Sequence, residues 1–373
     1  MAVHGSQGQL LQSFLPATNH PGFSVQNLPF GIFSTHKQPA PRAGVAIADQ
    51  ILDLKAVSSA GLFTGPILSQ AAARKACFAQ ETLNSFAALG RPAWREARHT
   101  IQRLLSATEG ILRDDQQLQA DCLVPQSDAV MHMPVSIGDY TDFYTSREHA
   151  SNMGALFRGK DNPLCPNWLH LPVAYSGRSS SIVVSGTNVH RPWGQVQPPG
   201  GGDPVFTPCS VLDYELEMAA VIGPGNCPGQ PIGVDQAEDH IFGFVVMNDW
   251  SARDIQRWEM LPLGPFNSKN FATSISPWIV TIDALNPFRC EAPKQEPGVL
   301  PYLQEARRTT FDVPIEVAVQ PRGGSESHTV ARSNLRHLYW TLPQMIAHHT
   351  AGGCNLRPGD LIGTGTISCE VHS

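Results

Sequence analysis

The stretch Leu212-Asp213-Tyr214-Glu215-Leu216-Glu217 alternates apolar and acidic side chains, and the apolar run Met218-Ala219-Ala220-Val221-Ile222 follows it directly. Neighbouring side chains of an extended strand point to opposite faces, so this pattern predicts a strand with its three carboxylates on one face, roughly 6.5–7 Å apart. The apolar continuation predicts that the strand enters a core, where carboxylates need protons or a cation for compensation. Oxygen ligands favour Ca²⁺ or Mg²⁺ over zinc or copper. The alternative is a solvated strand face.

The composition is that of a globular protein rich in turns. The chain has 373 residues, 42% of them hydrophobic and 16% charged, which allows two domains with a sizeable core. Its 32 glycines and 31 prolines favour a β-rich chain with many loops. A net charge of −6 without a basic patch argues against nucleic acid as a partner. The eight cysteines form no CxxC pair, which favours reduced and mostly buried thiols.

The termini and apolar runs indicate neither secretion nor membrane insertion. The first twenty residues lack the charged and apolar regions of a secretory signal. The longest apolar run, at 241–247, is too short to span a bilayer. We therefore expect a cytoplasmic protein with no membrane partner.

Composition along the chain predicts a flexible tail at 1–22, an N-terminal domain of strands and packed helices at 23–134, and a second domain at 135–373. In the first domain a tight hairpin is expected at Ala48-Asp49-Gln50. Pro92 is expected to open a long helix, because a missing N–H costs nothing in the first turn. In the second domain, short strands joined by Pro- and Gly-rich loops favour an antiparallel-rich sandwich or roll. Those strands are predicted at 181–186, 241–249, 276–282 and 312–320.

The run IGDYTDFYTSREHASNMG at 137–154 combines a carboxylate with an imidazole. If a helix starts near Asp142, then Asp142, Ser146 and His149 share one of its faces. A carboxylate beside a neutral imidazole would suit a metal ligand next to a general base. The alternatives are that Asp142 caps the helix and that His149 is an ordinary surface histidine.

The run IFGFVVMNDWSARDIQRWE at 241–259 predicts a buried strand that ends at Asp249 and a helix that begins near Ser251. Asp249 would then be a helix cap or a metal ligand. Arg253 and Gln256, spaced i and i+3, can point at one spot, where they would suit an oxyanion or a carboxylate. Lys269 is a possible third donor. Arg253 could instead form a local ion pair with Asp249.

Two further segments carry groups that suit an anionic ligand. Arg158 and Tyr175 lie near turns and would suit a dicarboxylate, the alternative being ordinary surface residues. The Gly-Thr-Gly-Thr loop at 363–366 would bring backbone N–H groups close to a carboxylate. His348 and His349 have no partner at ligand spacing, so we expect a structural role for both.

Taken together, these runs resemble the fumarylacetoacetate hydrolase family. The resemblance implies a mostly β fold with some α, in which a small N-terminal SH3-like barrel domain precedes a larger β-rich domain of the family's C-terminal type, in a homodimer. It implies hydrolysis of a carbon–carbon bond in 4-fumarylacetoacetate to fumarate and acetoacetate, at the end of tyrosine and phenylalanine catabolism. The stretches that carry it run in family order and include QNLPFGIFST, GVAIADQILDL, IGDYTDFYTSREHA, NWLHLPVAY, SGRSSSIVVSGT, LDYELEMA, HIFGFVVMNDWSARDIQRWE and GTIS.

The resemblance also implies roles for individual residues. His149 would be the general base that activates water. The cation, Ca²⁺ or Mg²⁺, would be bound by Asp142, Glu215, Glu217 and Asp249, with Lys269 and Thr273 in a magnesium-associated stretch. The oxyanion would be stabilised by Arg253, Gln256 and Lys269. The substrate would be held by Tyr144, Arg158, Tyr175, Gln256 and Thr366.

Two features depart from the family pattern. Met260 stands where the family has a substrate-contacting tyrosine, and the lost hydroxyl is expected to weaken binding without abolishing chemistry. The family continues past GTIS with closing strands and a glutamate that orients the histidine, so the sequence is expected to lack a C-terminal portion. The alternatives are a truncated, catalytically impaired isoform that acts only as a subunit or is unstable, and a related-fold enzyme such as an acylpyruvate hydrolase or a β-keto acid decarboxylase.

Overall fold

The computed structural model describes residues 11–16, 22–70 and 77–369, the side chains of Phe157 and Arg158 excepted. The chain divides into two units, Met1–Pro134 and Val135–Ser373. Within the described ranges, none of the helices combines the length and hydropathy needed to traverse a bilayer. All eight cysteines are free thiols, as predicted, but only Cys77, Cys122 and Cys209 are buried, so the expectation that most are buried is wrong.

The first unit contains strands β1 Phe30–Thr35, β2 Arg42–Ile47, β3 Gln50–Asp53, β4 Leu123–Pro125 and β5 Ala129–His132. Its helices are α1 Leu54–Ser59, α2 Asn84–Ala87, α3 Arg91–Leu105, α4 Gly110–Arg113 and α5 Gln116–Cys122. The strands form an antiparallel sheet in the order β4-β3-β2-β1-β5, in agreement with the predicted N-terminal domain.

Local sequence signals explain these elements. Ile47 pairs with Gln50, and Ala48 has a φ of 53°, so the predicted tight hairpin is confirmed, with a turn of two residues, Ala48 and Asp49. Pro92 lies in the first turn of α3, and that helix buries the apolar positions that recur at helical spacing. Of the predicted tail, residues 11–16 and 22 are described, and Phe14 N donates to Leu105 O at 3.0 Å. The rest of that tail lies outside the described residues.

The second unit contains the remaining strands and helices. Its strands are β6 Tyr140–Phe143, β7 Ala174–Ser176, β8 Ile182–Val184, β9 Trp193–Val196, β10 Val205–Pro208, β11 Leu212–Asp213, β12 Leu216–Ile222, β13 Ile241–Asp249, β14 Ser251–Ala252, β15 Thr273–Ile275, β16 Val280–Thr281, β17 Arg289–Glu291, β18 Thr309–Phe311, β19 Pro314–Val319, β20 His328–Asn334 and β21 Leu361–Gly363. Its helices are α6 Arg147–Arg158, α7 Arg253–Glu259, α8 Ile282–Leu285 and α9 Leu342–Thr350.

A mixed sheet of this unit separates an apolar core from a polar face. In the part of the chain described, its order is β7-β6-β21-β12-β13-β15-β8, with β16 on β13. From β12, Met218, Ala220 and Ile222 pack into the core beside α9. Because side chains alternate along a strand, Glu217 points to the opposite face. The sheet thereby holds a buried carboxylate away from the apolar core.

Three predicted elements are wrong; long-range contacts explain the first two, and a proline within the segment explains the third. The acidic strand is not continuous, because Asn248 Oδ1 accepts Glu215 N at 3.0 Å and interrupts the ladder between β11 and β12. Asp142 does not start a helix, since β6 is held extended between β21 and β7. The strand predicted at 276–282 lies at 273–275 and 280–281, since Pro277 has no N–H to donate to a ladder.

Candidate active site

Four carboxylates from three separate segments of the second unit meet at one point. Asp142 comes from β6, Glu215 and Glu217 from the acidic run, and Asp249 from the end of β13. One oxygen of each lies within 4.8 Å of the others, and all four residues are buried. Opposed oxygen ligands lie about 4–5 Å apart around Mg²⁺ or Ca²⁺. The cluster therefore has the size of a hard-cation site, and the alternative of a solvated strand face does not hold for Glu215 or Glu217.

Several oxygens of this cluster have no protein partner. Among the described residues, neither oxygen of Glu217 nor Oδ1 of Asp142 accepts a hydrogen bond, although all are buried. Buried acceptors of this kind are rare in proteins, because desolvation without a partner is costly. Asp249 is held more firmly, by Thr273 at 3.0 Å and by the hydroxyl of Tyr175 at 3.0 Å. The free acceptors fit a cation bound between oriented carboxylates.

Two cations of the chain lie against the cluster. The ammonium of Lys269 contacts both Glu215 and Asp249, and Arg253 Nη2 lies 2.8 Å from Glu215 Oε1. Burial would raise the pKa of Glu215, but Lys269 and Arg253 outweigh it and lower that pKa to about 2. Burial would likewise lower the pKa of Lys269, and the surrounding carboxylates raise it instead. Lys269 and Arg253 offset only part of the negative charge of the four carboxylates, which leaves negative charge for a divalent cation to neutralise.

The other carboxyls are destabilised as anions. Burial, followed by repulsion from Asp249, raises the pKa of Asp142 to about 8. The pKa of Glu217 is raised well above its ordinary range by burial and by the neighbouring carboxylates. Burial also raises the pKa of Asp249, against the opposing effect of Lys269. A bound cation would therefore favour the ionised form of these three carboxyl groups.

The cluster opens into a cavity of about 360 Å³ that also contains His149. His149 lies in the first turn of α6, where its backbone N–H donates to Oγ of the capping residue Ser146 at 3.2 Å. That cap is tied to the C-terminal segment, because Ser368 N donates to the same oxygen at 3.3 Å. Burial lowers the pKa of His149 to about 4. A neutral imidazole beside the cluster is able to accept a proton from water.

The structure places most of the predicted site residues around this cavity. The following predicted residues line it: Asp142, Tyr144, His149, Tyr175, Glu215, Glu217, Arg253, Gln256, Lys269 and Thr366. Asp249 belongs to the cluster, and the buried Thr273 donates a hydrogen bond to it. Met260 lines the wall, and the buried hydroxyl of Thr366 has no partner among the described residues. Arg158 ends α6, but its side chain lies outside the part of the chain that is described.

Arg253 and Gln256 converge as predicted, but their partners differ from the simplest expectation. Arg253 Nη1 donates to Gln256 Oε1 at 3.0 Å, and both side chains reach the cavity. The alternative local pair between Arg253 and Asp249 is not formed. Arg253 Nε donates instead to Asp213 Oδ2 at 2.9 Å. The sequence pattern grouped Asp213 with Glu215 and Glu217, but Asp213 is not part of the carboxylate cluster, and its contact with Arg253 was not predicted.

Two other predictions concern isolated histidines and a loop. His348 Nδ1 lies 2.9 Å from the hydroxyl of Tyr302, and His349 Nε2 lies 2.9 Å from Thr141 Oγ1. Their structural role stays a prediction. In the 363–366 loop, a Cβ on Gly365 would lie 2.2 Å from Phe143 O. The loop therefore approaches the backbone of β6 closely. The predicted contact of its N–H groups with a carboxylate stays a prediction.

Models of two protein-family domains match this chain. The Fumarylacetoacetate (FAA) hydrolase C-terminal model matches residues 139–372, and the Fumarylacetoacetase N-terminal model matches residues 26–134. Together they cover most of the sequence, and the larger of them contains every residue that lines the cavity.

Curated proteins of high similarity carry one name. Fumarylacetoacetase of Oryza sativa subsp. japonica is 56% identical over 96% of this chain and 83% of its own length. The enzymes of Mus musculus and Homo sapiens are 54% and 53% identical over 95% of this chain and 84% of their own length. A solved fumarylacetoacetate hydrolase from psychrophilic Exiguobacterium antarcticum, at 16% identity and a TM-score of 0.50, covers 91% of this chain and 86% of its own, and shares the fold.

Proposed function

Because this chain belongs to the fumarylacetoacetate hydrolase family, we propose that it hydrolyses the carbon–carbon bond of 4-fumarylacetoacetate, giving fumarate and acetoacetate. The observation that carries the proposal is one cavity that joins a buried four-carboxylate cluster to a neutral histidine and two cations. Identity above 50% to curated fumarylacetoacetases over nearly the whole chain supports the choice of substrate.

His149 is proposed as the general base. Its imidazole takes a proton from water as the water oxygen bonds to the carbonyl carbon on the fumaroyl side of the substrate. The bond between this carbonyl carbon and the neighbouring carbon of the acetoacetate part then breaks. Its electron pair stays with the acetoacetate part, which leaves as an enolate. A proton returns to the enolate carbon to give acetoacetate, and the hydrated side leaves as fumarate. Proton transfer by a placed base typically contributes 10²–10⁴-fold, to order of magnitude.

Arg253, Gln256 and Lys269 are proposed to stabilise the oxygen that becomes negative on water attack. Each reaches the cavity, and one such donor is worth about 10²–10³-fold in kcat. Tyr144, Arg158, Tyr175 and Thr366 are proposed to hold the substrate. Asp142, Glu215, Glu217 and Asp249 would hold the cation, which as a Lewis acid supplies charge stabilisation for the leaving group.

The proposal also covers the cation, the cellular location, the assembly and the domains of the protein. We propose Ca²⁺ or Mg²⁺ as the cation, because the cluster offers oxygen ligands alone. We also propose a cytoplasmic homodimer that acts in tyrosine and phenylalanine catabolism, built from an N-terminal domain at 23–134 and a catalytic domain at 135–373.

The test is a cation-dependent assay of substrate loss, followed at the absorbance of the enolised diketone. We expect turnover by the purified protein, its loss after chelation and its return with Mg²⁺ or Ca²⁺. His149→Ala should lower kcat by about 10²–10⁴-fold. His190→Ala, at an exposed histidine outside the cavity, is the matched control and should leave kcat unchanged.

Folded, cation-loaded protein that leaves the substrate intact would refute the proposal. Consumption of an acylpyruvate in place of 4-fumarylacetoacetate would assign the chain to a related activity instead.

A further inference from the structure

We propose that Glu259 is a positioning residue, which holds Lys269 in the site by fixing the three residues that precede it. The inference rests on the proposed function, in which Lys269 stabilises developing charge. Glu259 is the last residue of α7, the helix that also carries Arg253 and Gln256. Glu259 does not itself line the cavity.

The carboxylate of Glu259 accepts four hydrogen bonds from one short segment. Its Oε1 accepts Phe266 N at 2.7 Å, Ser268 N at 2.8 Å and Ser268 Oγ at 2.6 Å. Its Oε2 accepts Asn267 N at 3.1 Å. A carboxylate that accepts several backbone N–H groups forms strong, charge-assisted bonds. The side chain therefore fixes the backbone of 266–268 at three successive residues.

The loop between Glu259 and this segment contributes little packing of its own. Leu261 and Leu263 are 87% and 94% exposed, and Phe266 is 64% exposed. An exposed loop loses conformational freedom when it is ordered, and buried apolar contacts usually compensate for that loss. Since this loop buries so little apolar surface, the bonds to Glu259 are its main anchor.

The anchored segment leads directly into the site. Ser268 is fully buried, and its carbonyl accepts Ala252 N at 3.0 Å, next to the start of α7. The following residue, Lys269, extends its ammonium to Glu215 and Asp249. A change in the backbone at 266–268 would therefore move that ammonium. A displacement of about 1 Å at a catalytic group can cost about 100-fold in rate.

The first test compares two substitutions at this position. In Glu259→Gln the side chain keeps one oxygen, which can accept the three hydrogen bonds made to Oε1. Only the bond made to Oε2 is lost, so we expect kcat to fall roughly fivefold, the effect of one missing hydrogen bond. Glu259→Ala removes all four bonds, and we expect kcat to fall by about 100-fold with a smaller change in KM. The matched control is Glu238→Ala, which removes a glutamate paired to Arg289 at 2.6 Å, away from the cavity. It should leave kcat unchanged.

The second test asks whether Glu259 acts through Lys269. In a double-mutant cycle, Glu259→Ala should cause little further loss of kcat when Lys269→Met is already present. If Glu259 only stabilises the loop, Glu259→Ala should cause the same loss in kcat in the wild type and in Lys269→Met. Hydrogen exchange supplies a readout that does not need turnover. The amides of 266–268 should exchange at least tenfold faster in Glu259→Ala and at the normal rate in Lys269→Met and Glu238→Ala.

The outcomes separate this inference from the proposed function. Additive losses in the cycle, or unchanged exchange at 266–268 in folded Glu259→Ala, would overturn the role of Glu259. A wild-type protein without turnover would end the proposed function, and exchange alone would then decide whether Glu259 fixes the segment.

Discussion

At the scale of single residues, the site depends on how its charges are paired. Glu215 is matched by Lys269 and Arg253, whereas the oxygens of Glu217 have no partner among the described residues. Arg253 is in turn held by Asp213 at 2.9 Å and by Gln256 at 3.0 Å. The guanidinium is therefore fixed from two sides while it contacts Glu215. Such bonds set the direction of a donor as well as its charge.

Asp213→Asn should weaken this arrangement without emptying the site. The substitution removes the anion that holds Arg253 Nε, and we expect kcat to fall about tenfold, an increase of ~1.4 kcal/mol in the barrier. Cation affinity should change little, because Asp213 is not one of the four clustered carboxylates. Steady-state kinetics and cation titration check both expectations.

Asp312→Asn is the matched control, because Asp312 forms a half-exposed pair with Arg336 at 3.4 Å outside the cavity. Equal kcat values for Asp213→Asn and the wild type would show that Arg253 needs no help from Asp213.

At the scale of elements, the buried side chain of Glu305 contacts the residue that caps the N-terminus of α9, outside the site. Thr341 caps this helix in a capping box with Gln344, and its hydroxyl also donates to Glu305 Oε2 at 2.8 Å. The Glu305 side chain is 4% exposed. Burial raises the pKa of this carboxyl from 4.5 to about 7, although Thr341 and Arg308 oppose the rise.

Glu305 should therefore make stability depend on pH. The Glu305 carboxyl binds a proton more tightly in the folded state than in the unfolded state. Its contribution to the free energy of unfolding is therefore complete below pH 4.5 and is lost as the pH rises through about 7. Glu305→Gln should flatten this dependence and raise the free energy of unfolding at pH 8, relative to the wild type, by on the order of 2–3 kcal/mol. Denaturant unfolding of both proteins at pH 5 and pH 8 measures it, with Glu316→Gln, at an exposed glutamate paired to Arg332, as the control. A difference in stability between pH 5 and pH 8 that is the same in Glu305→Gln as in the wild type would contradict it.

The loop after β21 should be intolerant of a side chain at Gly365. Gly365 has a φ of 73°, and a Cβ on this residue would lie 2.2 Å from Phe143 O. Gly186 has a φ of 94° with nothing within 4 Å, so Gly186→Ala tests the backbone strain alone. We expect about 1–2 kcal/mol from strain in Gly186→Ala and a clearly larger loss in Gly365→Ala, where the clash is added. Chemical denaturation of both variants gives the comparison, and equal losses would refute the clash.

The elements also show how far sequence alone reaches. Local signals sufficed for the hairpin at Ala48 and the start of α3, because turn and helix chemistry act within a few residues. The acidic alternation also identified two of the buried carboxylates correctly. It failed where a distant side chain changed the backbone, since Asn248, 33 residues further on, interrupts the strand at Glu215. Asp142 was misplaced on a helix for the same reason, because β21 and β7 hold it in a strand.

The site itself was accessible from sequence only in part. Residue types and spacing indicated an oxygen-ligand cation and a pair of donors at Arg253 and Gln256. Asp213 and Glu259 could not be assigned, because their partners lie across loops whose path the sequence pattern does not fix. The resemblance to a family supplied the convergence of distant segments that periodicity cannot give.

At the scale of the whole molecule, the chain consists of two units with different contents. The first has its own antiparallel sheet and a buried aromatic cluster, in which Phe78 lies 4.8 Å from Phe63 and 5.1 Å from Phe86 between ring centroids. All four clustered carboxylates belong to the second unit. Cation binding is therefore expected to stabilise the two units unequally.

Hydrogen exchange should localise that effect. With the cation at 100 times its dissociation constant, the site gains about 2.7 kcal/mol of stability, and exchange should slow in β6, β12 and β13. Peptides from the first unit should show little change. A uniform slowing over both units would contradict the assignment of the cation to this cluster.

We expect one divalent cation to bind between Asp142, Glu215, Glu217 and Asp249. Calorimetric titration of chelator-treated protein with Mg²⁺ and with Ca²⁺, for the wild type and for Glu217→Gln, measures this binding. We predict one cation per chain in the wild type and at least a tenfold weaker site in the variant, since a neutral amide replaces a ligand whose two oxygens have no other described partner. Identical binding by both proteins, or no binding by either, would contradict it.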